Sequence, residues 1–572
     1  MRFFRLSIIV ELALAAVLGA VLGCGKRAEP PGALAAAGGA NAVEGRVVGS
    51  AVATEVADLP STGVSAPLKA AAAGSAEPGG GGSLDIGTPL DNLPFDEQGP
   101  DVVQLGSIAW RTWIYTDTGP TRTRYGYLRA GAIVAARGPK LVNEGCDGDK
   151  RSEGTEAGRR GRGPADRRDS GPADKRDAGW YRVNPRGFVC LGLGATKDLS
   201  HPVIVASRKR ALRGQGLPYA YALSSDTPPL LYFRLPSAKQ MEESEGGDFT
   251  LRAANHRERI RASGVLAALG EIGAPPDFLG GDAKLPKPYG VKQPLRYVSH
   301  AGAAAADSGF AIASSFDWEK RLFGLTTELD VIALDRVKLV KQSALRGVEI
   351  AENEGLPVAF SKERYGQRYV RNAAGLFEAG TQLSDREGVK LTGQSKPGGF
   401  LETRDGTWVA EASMRVLPPR DTYPSFATGD RKWLDISIKQ QSLVAYMGKT
   451  AVYAALISSG RAGLGDPDET ESTPRGTFMI YQKEVASTMD GDEDKGDSYN
   501  LRDVPFVQYF HKGYALHGAY WHDDFGKVRS HGCVNLAPLD AAWLFEWTDP
   551  SVPATWHGVL NKERGTVVYI HP

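Results

Sequence analysis

The spacing of apolar positions changes several times along this chain, and each change marks a different kind of structure. Residues 6–22 form a nearly continuous apolar run behind Met1-Arg2-Phe3-Phe4-Arg5, which carries two positive charges. That layout predicts an export signal. Residues 25–100 show no sustained period and are rich in Ala, Gly and Pro, including Glu77-Pro78-Gly79-Gly80-Gly81-Gly82-Ser83. Such composition cannot bury a core, so a disordered tether is expected. Over 101–200, short β-branched and aromatic runs such as Gly187-Phe188-Val189-Cys190-Leu191 are separated by Gly turns and predict a small β-barrel. Inside it, an eight-residue tandem at 163–170 and 171–178 mixes charge with Pro and Gly and reads as a solvated loop. Residues 201–350 combine a polar helical candidate over 241–267 with a strand-like run over 329–334, a mixed α/β region whose role the pattern does not reveal. Short strands return over 351–428, as in Gly399-Phe400-Leu401 and Thr407-Trp408-Val409.

The pattern is clearest over 429–572. Lys432-Trp433-Leu434-Asp435-Ile436-Ser437-Ile438-Lys439 alternates apolar and polar, and an apolar run resumes at Leu443 after Gln440-Gln441-Ser442, which predicts a hairpin. Residues 452–460 make a third strand, and 472–480 turn into a fourth. Pro538 suits the first turn of a helix whose Leu539, Ala542, Trp543 and Trp547 share one face. Gly565-Thr566-Val567-Val568-Tyr569-Ile570 closes the unit as a strand. The expected fold class is mainly β and multidomain, ending in a β-sandwich with one buttressing helix.

Length and composition agree with that division. A chain of 572 residues implies about three to four domains. Gly and Pro supply 104 of those residues, above the usual share, so long connections are expected. A net charge of +1 provides no global field for phosphates, which argues against a nucleic-acid partner. The signal ends at Val21-Leu22-Gly23-Cys24, which resembles a bacterial lipoprotein box. That resemblance implies lipidation of Cys24, a membrane anchor and a periplasmic protein, with Gly25 favouring the outer membrane. An ordinary secretory signal or a short transmembrane anchor are the alternatives, and each exports the chain. Outside the cytoplasm the remaining Cys146, Cys190 and Cys533 are odd in number. Cys146 and Cys190 lie in one candidate domain and are expected to pair, leaving Cys533 as the free thiol.

Cys533 stands in Ser530-His531-Gly532-Cys533-Val534-Asn535, sixteen residues after His517-Gly518. Thiol chemistry needs the thiolate, so an imidazole that takes the proton makes a cysteine nucleophilic. His517 is the candidate base. Six of the nine histidines fall in the last 62 residues, which concentrates near-neutral proton chemistry around this cysteine. Two other readings exist: an inert buried thiol among hydrogen-bonded histidines, or a zinc site of His517, His522, His531 and Cys533. The polar Ser-His-Gly flank suits an apolar core poorly, and the spacings fit no common zinc pattern. Acidic residues 490–497 lack the spacing of a calcium loop and read as a solvated hairpin tip or part of a lid. No metal or cofactor is expected. His522, Asp523 and Asp524 fall on a loop between base and nucleophile, where exposed polar residues are the default and a substrate-gating role is the alternative.

Thr473-Pro474-Arg475-Gly476, His517-Gly518, Ser530-His531-Gly532-Cys533 and the closing Gly-Thr-x-Val strand, in this order, resemble the YkuD-type L,D-transpeptidase domain over 431–571. The resemblance implies attack on a peptidoglycan stem peptide between meso-diaminopimelate and D-alanine, a thioester, and transfer of the acyl group to an amine. It makes Cys533 the nucleophile and His517 the proton acceptor and donor. His531 and Gly532 shape the turn, Ser530 fixes the loop, and backbone N–H groups near Cys533 hold the oxyanion. Asn535, where many members carry arginine, and Gly518 are candidate substrate contacts, as are Tyr520 and Trp521, for which packing is an equal alternative. The segments 101–200 and 351–428 resemble bacterial SH3-like modules, which implies wall binding. Water in place of the amine makes the protein an L,D-carboxypeptidase or endopeptidase, and an idle thiol makes it a wall-binding scaffold.

Overall fold

The alternation after residue 429 is realised as two sheets packed face to face. In this computed structural model residues 95–572 are described, except 142–145, 147–178, 193, 264–266, 268, 281–283, 290–298, 363–365 and 491–498. Cys24 with the export signal, almost all of the expected tether, the charged tandem and most of the acidic insertion lie outside the described residues. Every described residue belongs to one unit, Asp85–Pro572.

The strands that position the candidate site are β1 (Lys432–Ser437), β2 (Ser442–Met447), β3 (Thr450–Ser458), β4 (Gly476–Met479), β5 (Gln482–Asp490), β6 (Asn500–His511), β7 (Tyr514–Gly518) and β8 (Val534–Leu536). Helix α1 (Pro538–Trp547) follows, then β9 (Gly558–Leu560) and β10 (Val567–His571). One layer runs β3-β2-β1-β10-β4, with β10 parallel to β1 and the other pairs antiparallel. The second runs β9-β5-β6-β7-β8-β3, with β8 parallel to β7. β3 is long enough to serve both layers. Leu434 and Ile436 of β1 meet Val485, Phe506, Leu516 and Val534 across the sandwich in one buried cluster. Each such side chain contributes about 1.5–3 kcal/mol by leaving water. Trp433, on the other face of β1, stacks on Tyr446 at 4.5 Å and donates its indole N–H to Gly448 O at 2.7 Å.

Helix α1 differs from the expected one-sided pattern. Ala542 is buried as expected, but Leu539, Trp543 and Trp547 are half-buried, while Asp540, Ala541, Leu544 and Phe545 go deepest. The reason is a second covering layer: Gly347, just before the short strand Val348–Glu349, donates its N–H to Asp540 Oδ1 at 2.7 Å. That strand pairs with β3 through Val348↔Ala454 and Glu349↔Tyr453.

Upstream, Val102–Ser107, Arg111–Tyr115, Arg124–Arg129, Ile133–Leu141, Gly179–Val183 and Phe188–Leu191 form a small antiparallel unit. Cys146 and Cys190 are disulfide-bonded there, with Cα atoms 5.4 Å apart. In the middle region the expected helix is broken in two, Ala238–Glu245 and Phe249–Ser263, because Gly246 takes φ 85° and ends the first. The strand expected over 329–334 is Val331–Ala333 followed by a 3₁₀ turn, Leu334–Arg336. Buried Arg321 joins Glu245 of the first helix to Asp335 of that turn, at 2.8 and 2.7 Å. Residues 358–417 form a separate seven-stranded sheet around Ala359, Val389, Leu391 and Val409. Backbone pairing crosses the sequence segments: Gly126 and Tyr127 pair with β9, and Gly309 pairs with Leu501 of β6.

Candidate active site

The β7–β8 register brings base and nucleophile together. Leu516 lies opposite Val534 and His517 opposite Asn535 in parallel pairing. Extending that register by one residue sets Cys533 beside Ala515. Side chains alternate along a strand, so Leu516, Val534 and Leu536 enter the core while His517, Cys533 and Asn535 share the other face. Cys533 and His517 are then diagonal neighbours, a relation within reach of long side chains.

The turn before β8 is braced on every side. Gly532 has φ 120°, and a Cβ there would come within 2.5 Å of Tyr514 and 3.1 Å of Ser472 O, so both backbone and space require glycine. Ser530 Oγ accepts the Gly532 N–H at 3.1 Å and donates to Cys533 O, spanning the turn. Arg529 and Ser530 donate their N–H groups to Ser459 O at 2.8 and 3.1 Å. Thr473 was read from sequence only as part of a motif, and its function escaped that reading. Its Oγ1 donates to Gly532 O at 2.8 Å and accepts the Gly460 N–H at 2.9 Å. In a planar trans peptide C=O and N–H point in opposite directions, so Thr473 turns the Cys533 N–H away from itself. A hydroxyl in the loop just before the strand Gly476–Met479 carries no signal for this; only the closed turn reveals it.

Protonation follows from burial. His517 Nδ1 lies 3.1 Å from Gly518 O, and a carbonyl only accepts, so the ring proton sits on Nδ1 and Nε2 keeps its lone pair. Burial pushes the imidazole down to about 4, against a smaller opposing effect of the Gly518 carbonyl, so at neutral pH it is an uncharged base. Burial also raises the Cys533 thiol, and the Ala515 N–H partly offsets this by favouring the thiolate. The resting pair is neutral thiol and neutral imidazole.

Around this pair the other expected site residues take distinct places. Asn535 is buried, its Nδ2 2.9 Å from His522 Nε2. His522 Nδ1 accepts the Asp524 N–H at 3.2 Å, so Nε2 carries the ring proton. Asn535 Oδ1 has no hydrogen-bond partner among the described residues. A half-turn of the amide gives Nε2 the acceptor it needs. His522 is thus drawn into the site, half-buried and pushed down to about 4 chiefly by burial, not left as an exposed loop residue. Trp521 is half-buried with its ring 5.7 Å from that of His517. Tyr520 is buried, stacking on Tyr221 at 4.2 Å and donating to Arg502 O at 3.1 Å. Gly518 lies buried beneath the site, and its carbonyl orients His517. His531 lies at the rim, its Nε2 2.7 Å from Arg461 Nη2 and 3.8 Å from Glu471. Among the described residues no group of three or more His, Cys, Asp or Glu is placed to hold a metal ion.

A thiol, a neutral imidazole with a fixed tautomer and a locked glycine turn in a β-sandwich can carry out acyl transfer. Comparison with known families identifies the unit. Residues 431–570 match YkuD, the L,D-transpeptidase catalytic domain. Over 140 residues this chain is 24% identical to a Bacillus subtilis relative, YciB, named for L,D-transpeptidase, which covers 20% of this chain and 59% of the relative. It is 29% identical over 160 residues to L,D-transpeptidase 1 of Mycobacterium tuberculosis, covering 24% and 61%. The chain thus spans about three-fifths of the length of these curated relatives. Among solved structures, an L,D-transpeptidase from Xylanimonas cellulosilytica matches at 24% identity over 26% of this chain and 65% of its own, with a TM-score of 0.18. An L,D-transpeptidase from Mycobacterium smegmatis matches at 18% identity over 41% of this chain and 98% of its own, with a TM-score of 0.20. All described candidate residues of the thiol site fall inside the matched L,D-transpeptidase domain.

Proposed function

We propose that this protein is an L,D-transpeptidase acting on peptidoglycan stem peptides through a cysteine thioester. The observation that carries the reading is the strand register that sets Cys533 diagonal to a His517 whose Nδ1 is held by Gly518 O, within the matched L,D-transpeptidase domain. His517 Nε2 takes the thiol proton as Sγ attacks the carbonyl carbon between meso-diaminopimelate and D-alanine. The developing oxyanion is met by backbone N–H groups at the turn, with the Cys533 N–H aimed by the Thr473–Gly532 bond. The tetrahedral intermediate collapses as His517 returns the proton to the departing D-alanine amine, leaving a thioester. An acceptor amine attacks that thioester, gives its proton to His517, and leaves with the acyl group, forming a cross-link or attaching a protein to the wall.

The rest of the chain fits that role. The charged, apolar N-terminus ending at Cys24 supports export and lipid anchoring in the periplasm, with the outer membrane as the site. The small β units before the catalytic domain, SH3-like in sequence, supply wall binding; deletion of 101–428 that left wall binding unchanged would remove this part of the reading. Mass spectrometry of the protein incubated with a tetrapeptide-stem muropeptide, beside Cys533→Ala, tests the whole. The expected result is loss of D-alanine, an acyl adduct on Cys533 and amine-linked dimers. Free tripeptide stems without dimers establish a hydrolase, and the absence of any adduct favours a non-catalytic scaffold.

A further inference from the structure

The loop between base and nucleophile is held by a residue in a strained backbone. Arg386, in the turn between strands Phe377–Gln382 and Gly388–Lys396 of the seven-stranded sheet, has φ 54°, a left-handed conformation that glycine adopts more readily than a residue with a side chain and that turn residues such as Lys320 and Lys512 share. Its guanidinium reaches the catalytic domain: Nη1 donates to Asp523 O, and Nη2 pairs with Asp523 Oδ2 at 3.0 Å. Arg386 is 14% exposed and Asp523 55%, so the loop residue is gripped from its inner side. Ser343, which lies just before the strap that covers α1, donates its hydroxyl to Asp523 Oδ1 at 2.6 Å. These bonds on Asp523 come from upstream of the catalytic domain.

Asp523 stands between the two residues that shape the site. His522, before it, meets the Asn535 amide at 2.9 Å, and Asp524, after it, donates its N–H to His522 Nδ1. Trp521 adds the ring beside His517. Fixing Asp523 therefore fixes the tilt of the His522 ring and, through it, the Asn535 side chain opposite His517. The other end of the loop is held by Arg415 Nη2, which donates to Gly526 O at 3.0 Å, and by Gly526 N–H on Ile457 O at 2.7 Å.

We propose that Arg386 is a positioning residue for the acyl-transfer site: by gripping Asp523 it holds His522, Asn535 and Trp521 where a stem peptide is received. The inference rests on the L,D-transpeptidase reading for its substrate, but not for the grip itself. The seven-stranded sheet is then part of the working site as well as a wall-binding unit.

Arg386→Gly in the full chain separates this from a structural role, because glycine relieves the left-handed strain while deleting the guanidinium. The expected result is an unfolding midpoint unchanged or raised, faster hydrogen exchange at the amides of 521–524, and KM for a tetrapeptide-stem donor raised about tenfold with kcat within about twofold. Arg386→Lys should recover part of that loss. Arg386→Gly with Asp523→Ala should lose less than the sum of the two single losses, since the two variants share the Nη2–Oδ2 pair. Unchanged exchange and unchanged KM in Arg386→Gly, or additive losses in the double variant, would overturn the proposal. If the native protein does not turn over the donor, the functional reading fails, and the exchange of 521–524 still decides the grip: faster in Arg386→Gly upholds it, unchanged rejects it.

Discussion

The Cys533 turn and the 519–526 loop lie side by side and are secured from different parts of the molecule. The turn takes its bonds from Ser459, Thr473 and Ser530, all inside the matched domain. The loop shares bonds with Ile457 and Ser458 of that domain and adds bonds from Ser343, Arg386 and Arg415, which belong to segments before it. Reacting groups need tight placement relative to each other, which neighbouring strands provide through backbone pairing. A loop that shapes the cleft can be governed by another part of the chain, since surface loops carry few backbone bonds of their own. The contrast teaches that the chemistry is built locally, while the surroundings of the chemistry depend on the whole chain.

The largest test of that contrast removes the local part. His517→Gln should lower kcat/KM by about a thousandfold or more, because it deletes the candidate acceptor of the thiol proton, with circular dichroism unchanged. A loss below tenfold would mean that the proton goes elsewhere. Next comes the aim of the turn: Thr473→Val keeps shape and removes the hydroxyl that bonds Gly532 O. It should cost about ten- to a hundredfold in kcat with little change in KM, the signature of an interaction strongest in the transition state. A pure KM effect would make Thr473 a binding residue instead.

A third test concerns pH. The His517 imidazole is depressed to about 4, so the base stays neutral through the mildly acidic range. The acid limb of kcat/KM should fall near pH 4 and not near 6.5, as measured by acylation rate against pH. A limb at 6.5 would mean that the site opens to water in solution.

The smallest expected effect concerns the strap over α1. Asp540 accepts from Tyr453 Oη and Gly347 N–H, both at 2.7 Å, and burial raises its carboxyl to about 7. A raised carboxyl stabilises the fold in its protonated form, so this contribution is complete below the ordinary carboxylate range, near pH 3.8, and is lost as pH rises towards 7. Asp540→Asn keeps an acceptor for both donors and carries no charge. Its unfolding midpoint should exceed that of the native protein at pH 8 and approach it at pH 4. Equal midpoints at both values would show that the strap does not sense this charge.

Much of this was legible before any fold was known, and the reasons lie in particular residues. Cys533, His517 and the glycine turn announce themselves because reactive residue types at short spacing need no tertiary context. Trp433 to Ser437 read correctly as a strand from alternation, and Cys146 and Cys190 read correctly as partners. Tyr520 fits substrate contact and packing equally in the sequence, and only Tyr221, about three hundred residues earlier, shows that it is packed. The helix expected over 241–267 misread one glycine, Gly246, whose positive φ cannot be seen in the pattern.

The sequence by itself determined the candidate chemistry: a free thiol, a candidate base, the glycine that permits the turn, and a β-sandwich to carry them. Those depend on residue identity and on separations of a few residues, where alternation and backbone sterics act directly. Tertiary structure alone decided that Thr473 aims the Gly532 peptide, that Gly518 sets the His517 tautomer, and that Arg386 reaches Asp523. Such contacts join residues from one to 137 positions apart, and hydrogen-bond direction and burial exist only once the chain has folded.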